Sequence, residues 1–469
     1  MSSHHAYTKT TRTVASSLSI VLAAGPAFGA GFALQENSGS GLGNAYAGGA
    51  AVAEDASTVW SNAAGMARLG SAQVVGALNL IQPSLKFSNS ASQPALQQPL
   101  GGEGGNAGSL NVVPNLYLAY PIDPRWTLGI GINAPFGLVS EYDSSWIGRF
   151  QGIKSDIKTY NVNPAVSWKA TDSVAIGAGV NWQRIEATFT SKANYSAGLL
   201  AAAVAAGIAP GSPQFNAIAA ATPGLESGVE VTGSDNAWGW NLGILVDIDK
   251  ANRIGAQYRS AMKYTVSGNV KFTNPAVPPP FAALAEGLNA ARLYDSGVTS
   301  QIKLPEIVNV SYFGNINSRW DVMADLQYTG WGSIKELTFV RTDGSPLQST
   351  TENFKDAWRF AVGANYRYSE QWLFRGGVAY DQTPVQDAYR TPRLPDSDRT
   401  WLAFGGQYKI NPTLWLDFGA AYVWVRSGSI NDIGSSAGGQ PPSAAQNGLV
   451  NGSYNNNVVI LSGQLTYAF

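Results

Sequence analysis

The chain has 469 residues, 30 Lys plus Arg against 31 Asp plus Glu and a net charge of −1, a balance that gives neither nucleic acid nor an anionic membrane surface a reason to bind. Cysteine is absent, which removes disulfides, thiol chemistry and thiolate metal sites together. Aromatics reach 11%, with 52 Gly and 14 Trp, yet mean hydropathy is only −0.07, because apolar and polar residues alternate instead of forming blocks, as in a membrane β-barrel.

Residues 1–29 carry Lys9 and Arg12, an apolar run around Leu18 to Ala24, and small residues at Ala27 and Gly29. This is the pattern of a secretory signal peptide cut before Ala30, with an apolar core shorter than the roughly 20 residues of a spanning helix. No later segment offers such a run, so a secreted chain rich in alternation is either soluble or a barrel. Residues 30–69 follow neither a strand nor a helix pattern: Gly39, Gly41, Gly43, Gly48 and Gly49 interrupt both, while the intervening Ala, Val, Leu and Tyr are too apolar for a disordered tail. The segment needs a surface to fold against. We expect it to sit as a hatch, or plug, inside a transmembrane barrel formed by residues 70–469.

From residue 118 onward one pattern recurs six times, starting near Leu118, Val166, Leu245, Val310, Ala364 and Gly406: a strand, a short turn of Asp, Asn, Pro, Ser or Lys, and a strand rich in Gly and aliphatics. Short turns on one side and long, irregular connections on the other form the outer-membrane pattern. The six hairpins give twelve strands. An alternating stretch at Gln73–Ile81 and a last one at Tyr454–Phe469 bring the count to fourteen, so the predicted fold is all-β, a 14-stranded antiparallel barrel plugged by its N-terminal segment. A terminal aromatic, Phe469, after an alternating strand is a general outer-membrane assembly signal.

Strand parity assigns Leu128, Ile130 and Ile132, and likewise Ile176, Val180 and Trp182, to the lipid face, against Gly129, Gly131, Gly177 and Gly179 on the other. Trp126, Trp182, Trp320, Trp372, Trp401 and Trp415 fall near strand ends, where interfacial girdles are expected. The lumen of such a barrel is too wide for wall side chains to fill. Two long loops, 191–228 and 272–297, hold apolar helical patterns. In the second, Phe281, Leu284, Leu288 and Leu293 or Ala291 share a face. These helices either pack on one another as a lid or leave a groove for an apolar ligand.

Motifs for chemistry are sparse. The only histidines, His4 and His5, lie in the leading segment, so the mature chain lacks both His and Cys; no cofactor, metal site or enzyme activity is expected. The glycine runs Gly39-x-Gly41-x-Gly43 and Gly129-x-Gly131 do not join a parallel strand to a helix, which argues against nucleotide binding. Asp396 and Asp398 could form a carboxylate pair of a barrel protease, but with Arg393 and Arg399 beside them they read as salt-bridged loop structure.

The stretches GFALQENSGSGLGNAYAGGAAVAEDASTVWSNAAG, INAPFGLVSEYDSSWIGRF, LPEIVNVSYFG, NFKDAWRFAVGANY and PVQDAYRTPRLPDSDRTWLAFGGQY, in that order, resemble the successive signatures of the FadL-type long-chain fatty acid outer-membrane transporters. The resemblance covers Ala30 to Phe469 and implies passive uptake of hydrophobic molecules across the outer membrane. It places an outer capture groove at the loop helices around Leu199, Leu284 and Leu288, an inner site at Phe32, and a kink at Pro135-Phe136-Gly137 through which ligand leaves sideways into the bilayer. The hatch of the family carries Asn-Pro-Ala where this chain reads Asn62-Ala63-Ala64. Of the family's two basic carboxylate partners, Lys192 is the nearest match to one and Thr350 stands at the other. A fatty acid is therefore the expected ligand, with neutral aromatic hydrocarbons, imported by relatives, as the alternative. The other expected partners are outer-membrane lipid and lipopolysaccharide, around a monomer.

Overall fold

The computed structural model describes residues 30–469; the expected signal peptide lies outside the described residues. Fourteen antiparallel strands close into one barrel. β1 (Gln73–Asn89) and β2 (Asn111–Pro121) precede a broken third strand, β3 (Trp126–Asn133, resuming at Gly137–Glu141). β4 (Lys154–Lys169), β5 (Val174–Asn194) and β6 (Glu226–Asp247) are continuous. Breaks return in β7 (Asn252–Arg259 and Met262–Thr273), β8 (Ser296–Leu304 and Ile307–Asn315), β9 (Trp320–Thr329 and Glu336–Arg341) and β10 (Pro346–Thr351 and Ala357–Arg367). β11 (Trp372–Asp381), β12 (Arg399–Asn411), β13 (Leu414–Val425, extended by Gly428–Asp432) and β14 (Val450–Ala468) complete the wall, and β14 closes on β1 from Gln73↔Ala468 to Asn89↔Gly452.

The six expected hairpin turns share one device. Asp123, Thr171, Asp249, Asn317, Ser369 and Asn411 each accept a backbone N–H two residues on, which satisfies the turn without a longer loop. Both chain ends of the barrel lie on this short-turn side, where the Phe469 N–H donates to the Ala72 carbonyl. The long connections therefore face the cell exterior. Alternation also falls as expected: Leu128, Ile130, Ile176 and Val180 are exposed to lipid. The girdle expectation fails at Trp401, which is fully buried in the lumen, with the Arg359 guanidinium 5.5 Å from its ring centroid. It sits on the inward parity of β12, and closeness to a strand end does not override parity. Trp415 likewise has inward parity, and the exposed outer belt uses Trp238, Trp240, Trp358 and Trp424 instead.

Residues 30–69 run inside the barrel as two single-turn helices, α1 (Gly39–Leu42) and α2 (Thr58–Ser61), and a 3-10 helix at Ala63–Arg68. So irregular a backbone leaves carbonyls that need donors. Wall arginines supply them: Arg359 Nη2 donates to the Ala45 carbonyl (2.6 Å), Arg253 to those of Ala51 and Val52, and Arg259 to that of Trp60 (2.8 Å) while lying over its ring. Arg375 binds Glu54 (3.0 Å) and Asp417 (2.6 Å), and the Gln464 carboxamide oxygen accepts the Gly39 N–H (2.9 Å). At several wall glycines the hatch backbone packs directly on the wall, Gly255 and Gly377 among them. A Cβ at Gly255 would stand 1.9 Å from the Ala50 carbonyl oxygen, and one at Gly377 would stand 2.2 Å from that of Asn44, so both wall positions require glycine.

Arg375→Leu leaves Glu54 and Asp417 buried without their cation, a loss of about 3–5 kcal/mol for a broken buried pair. We expect a lower unfolding temperature and a steady ion current in planar bilayers, against a closed wild type. A wild-type-like current trace would show that this ion pair does not hold the hatch.

Candidate functional site

Pro135 cannot donate to a ladder, and the chain departs from strand geometry across residues 134–136. The break leaves an opening in the wall. β2 pairs with β3 only from Leu116↔Ile132 to Pro121↔Thr127, and the resumed segment of β3 pairs only with β4, from Gly137↔Lys158 to Glu141↔Lys154. No β2–β3 ladder exists outward of Leu116. The exposed backbone groups are satisfied in two ways. The Thr159 hydroxyl accepts the Phe136 N–H (2.9 Å) and donates to the Phe136 carbonyl (2.7 Å). From the lumen, the first hatch residues add a short strand: the Leu34 N–H donates to the Pro135 carbonyl and the Gly137 N–H to that of Phe32, each at 2.9 Å. Of the three residues expected to form the kink, Phe136 and Gly137 thus meet Phe32 and Pro135 meets Leu34.

Phe32 is buried beside Trp331 (ring centroids 4.8 Å apart) and Phe136 (6.0 Å), and lines an apolar cavity. Ile157, Ile185, Leu337 and Phe339 line it; its few polar members are Ser300, Glu352 and Arg393. On the periplasmic side of the Phe32–Leu34 segment lies a second cavity of about 930 Å³ with a different lining, including Asn37, Glu54, Asp55, Gln257, Asn309 and Gln327. An apolar chamber and a polar vestibule are therefore divided by the hatch strand that also covers the wall opening.

Arg393 is the cation of the chamber. It comes from the long connection between β11 and β12, and its guanidinium donates to the Lys154 carbonyl (3.1 Å) and the Ser155 hydroxyl (3.3 Å). Among the described residues no carboxylate lies within ion-pair distance of it, so its charge is met only by neutral acceptors. Burial lowers its pKa to about 10, opposed by the charges of Glu352 and Asp432, and it stays protonated at neutral pH. Burial also pushes the Glu352 carboxyl up to about 8, and the nearby Asp432 adds to the shift. The neighbouring Arg399 takes Asp396 (2.5 Å), as the loop reading expected, which leaves Arg393 without an anion.

The expected ligand residues fare differently. Ser191 points inward and lines a small cavity with Thr350 and Arg393, whereas Lys192, one residue on, has outward parity and is half-exposed; a one-residue step reverses the face. The cation that lines the inner cavities is Arg393 rather than Lys192. Its signal was hidden because it lies about 200 residues away, in a stretch that reads as an ion-paired loop. The helical loops form α3 (Tyr195–Ala205), α4 (Pro213–Ala221) and α5 (Ala282–Ala291). Leu199 and Leu288 are buried between them, with Leu288 lying over Gly198 and Leu284 packed on the same cluster. These side chains fill the space between the three helices, which pack on one another. In the hatch, Asn62 caps the 3-10 helix by accepting the Ala64 N–H (3.1 Å), and its amide donates to the carbonyls of Ala50 (2.7 Å) and Ile244 (3.0 Å). These bonds fix the turn at Ala63 without the ring of a proline.

Residues 20–469 match the family model described as outer membrane protein transport protein (OMPP1/FadL/TodX). The chain is 31% identical over 442 residues to the long-chain fatty acid transport protein of Escherichia coli K12, covering 92% of this chain and 95% of that one. It is also 31% identical over 421 residues to outer membrane protein P1 of Haemophilus influenzae, covering 86% and 88%. Among solved structures, a Pseudomonas aeruginosa FadL homologue superposes with a TM-score of 0.83 at 23% identity, covering 94% and 100%. The Ralstonia pickettii toluene transporter TbuX gives 0.60 at 20%, covering 92% and 99%.

Glu352, near enough to Arg393 for their charges to interact without an ion pair, sets a pH dependence. Below about 8 Glu352 is neutral and leaves Arg393 free for an anionic headgroup; above it, the ionised Glu352 competes for Arg393 and repels the anion. Dodecanoate affinity should fall roughly tenfold by one unit above that value, and Glu352→Gln should abolish the fall. Isothermal titration from pH 7 to 9.5 checks this, and parallel profiles for both proteins would exclude Glu352 as the titrating group.

Proposed function

The chain belongs to the outer membrane protein transport family, an outer-membrane β-barrel family, and from that premise we propose that it takes up long-chain fatty acids by passive diffusion. The route has three stages. Ligand enters past the loop helices, which must part to admit it; its acyl chain settles in the apolar chamber over Phe32; and it leaves sideways between β2 and β3 into the bilayer. Each buried CH₂ favours binding by about 0.8 kcal/mol, so the chamber needs few polar contacts. The observation that carries the fatty acid reading is the buried Arg393 guanidinium, with no carboxylate in ion-pair distance among the described residues, in a largely apolar cavity. A charge-assisted contact to a carboxylate there contributes about 1.5–3 kcal/mol. The curated relatives above, one of them a long-chain fatty acid transport protein, support the same reading. A neutral aromatic hydrocarbon, as transported by TbuX, is the second reading, favoured by the aromatic floor of Phe32, Phe136 and Trp331.

Lateral exit is supported by what lies on either side of Phe32. Straight passage would carry an alkyl chain into a vestibule lined by carboxylates and amides, whereas the wall opening leads to hydrocarbon. For ligand to pass, the hatch strand at Phe32–Leu34 must give up its two hydrogen bonds to the kink.

Two measurements test this route. Gly137→Trp should fill the opening and reduce fatty acid uptake by cells severalfold, while the purified barrel keeps its heat-modifiable mobility; undiminished uptake would count against lateral exit. Arg393→Ala should weaken binding of a fatty acid by roughly ten- to a hundredfold, the equivalent of about 1.5–3 kcal/mol, and leave its methyl ester unaffected. Lys192→Ala should change neither. Equal wild-type affinity for acid and ester would remove the carboxylate from the mechanism and favour the hydrocarbon.

A further inference from the structure

The outer surface of the wall carries another concavity, of about 1110 Å³, that takes no part in this route. It spans β10 to β13 above the lipid-facing band. On β13 the exposed residues Leu416, Phe418, Tyr422 and Trp424 mark that band, whose height from Leu416 to Trp424 is on the order of 20 Å for a tilted strand. Arg426 follows two residues beyond Trp424 on the same parity. Across the wall the register runs Arg359↔Asp381↔Arg399↔Val425, so Trp358 and Arg426 stand in the next row outward, with Lys355 three residues beyond Trp358. Trp358, Tyr380 and Trp424 are exposed at this level and mark the outer-leaflet interface. The groove therefore opens at the depth of the outer-leaflet headgroups.

Its charges are divided unequally. Arg390 is held by Asp387 (2.7 Å), and the Asp398 carboxylate accepts the Tyr380 hydroxyl (2.9 Å) and the Thr383 N–H (3.0 Å). Neither Lys355 nor Arg426 has a side-chain hydrogen bond or ion pair among the described residues, although both line the concavity. Three strand intervals of about 4.8 Å, combined with the three residues by which Lys355 stands beyond the row of Arg426, separate the backbones of the two cations by roughly 17 Å. That is too far for both to grip one phosphate. It suits a headgroup carrying two separate phosphates, while the Ser429 and Ser453 side chains, just beyond Arg426 on β13 and β14, offer hydroxyl contacts to its sugar.

We propose that this groove seats the phosphorylated disaccharide headgroup of an outer-leaflet glycolipid, the lipid A moiety of lipopolysaccharide, with Lys355 and Arg426 each facing one phosphate. Its acyl chains then run down the wall over Trp358, Tyr380 and Trp424. Both cations lie outside the lumen, so the site is independent of fatty acid binding.

The test titrates the purified full-length barrel in detergent with bisphosphorylated lipid A, with its monophosphorylated and phosphate-free forms, and with inorganic phosphate, followed by native mass spectrometry and thermal unfolding. Wild type should retain lipid A and unfold at higher temperature with it, in the order two phosphates, one, none. The K355A/R426A double variant should lose affinity at least tenfold while binding dodecanoate as wild type does, which certifies its fold. Equal retention by the double variant, or equal binding of the phosphate-free lipid, would overturn the proposal. So would full displacement by millimolar inorganic phosphate, which would make this a free-anion site.

Discussion

The hatch stays inside the barrel because its backbone has nowhere else to place its hydrogen bonds. A segment with two single helical turns and one 3-10 helix leaves carbonyls unpaired, and in a water-poor lumen each is costly. Arg253, Arg259 and Arg359 answer them from the wall, and the arginines are in turn kept buried by the carbonyls and rings they meet. Wall and hatch thus depend on each other. Wall glycines complete the fit, since at Gly255 and Gly377 any side chain would stand where the hatch backbone already is.

The same rule explains how a strand can break at the level of the membrane. A gap in a spanning wall is tolerated only where its backbone groups are covered. In β3 the Thr159 hydroxyl and the Phe32–Leu34 strand cover them. The cover is noncovalent and belongs to the plug rather than to the wall. A wall break covered noncovalently by the plug is the property the proposed lateral route requires, and it places Phe32 at once against the kink and the apolar cavity.

Much of this was legible in the sequence. Strand alternation, the six hairpins and the closing Phe469 strand define a fourteen-stranded barrel because period-2 patterning and Asx or Ser/Thr turns are local properties. The interruption at Pro135 was equally readable, since proline removes a donor wherever it stands. The break in β8 likewise falls at Pro305, whereas those in β7, β9 and β10 contain no proline. Trp401 misled because nearness to a strand end and inward parity point opposite ways, and parity prevailed.

The sequence by itself determined the architecture: a barrel, its lipid face, its plug and the position of one kink, all of which follow from short-range pattern. Only the tertiary structure decided which cation lines the apolar cavity and how the loop helices pack. Arg393 and Glu352 meet through a loop that returns into the lumen, and Lys192 is excluded by a single step of strand register. Leu199 and Leu288 pack together because two loops, far apart in sequence, converge over one barrel mouth. Such contacts depend on where long connections land, and no local periodicity encodes that.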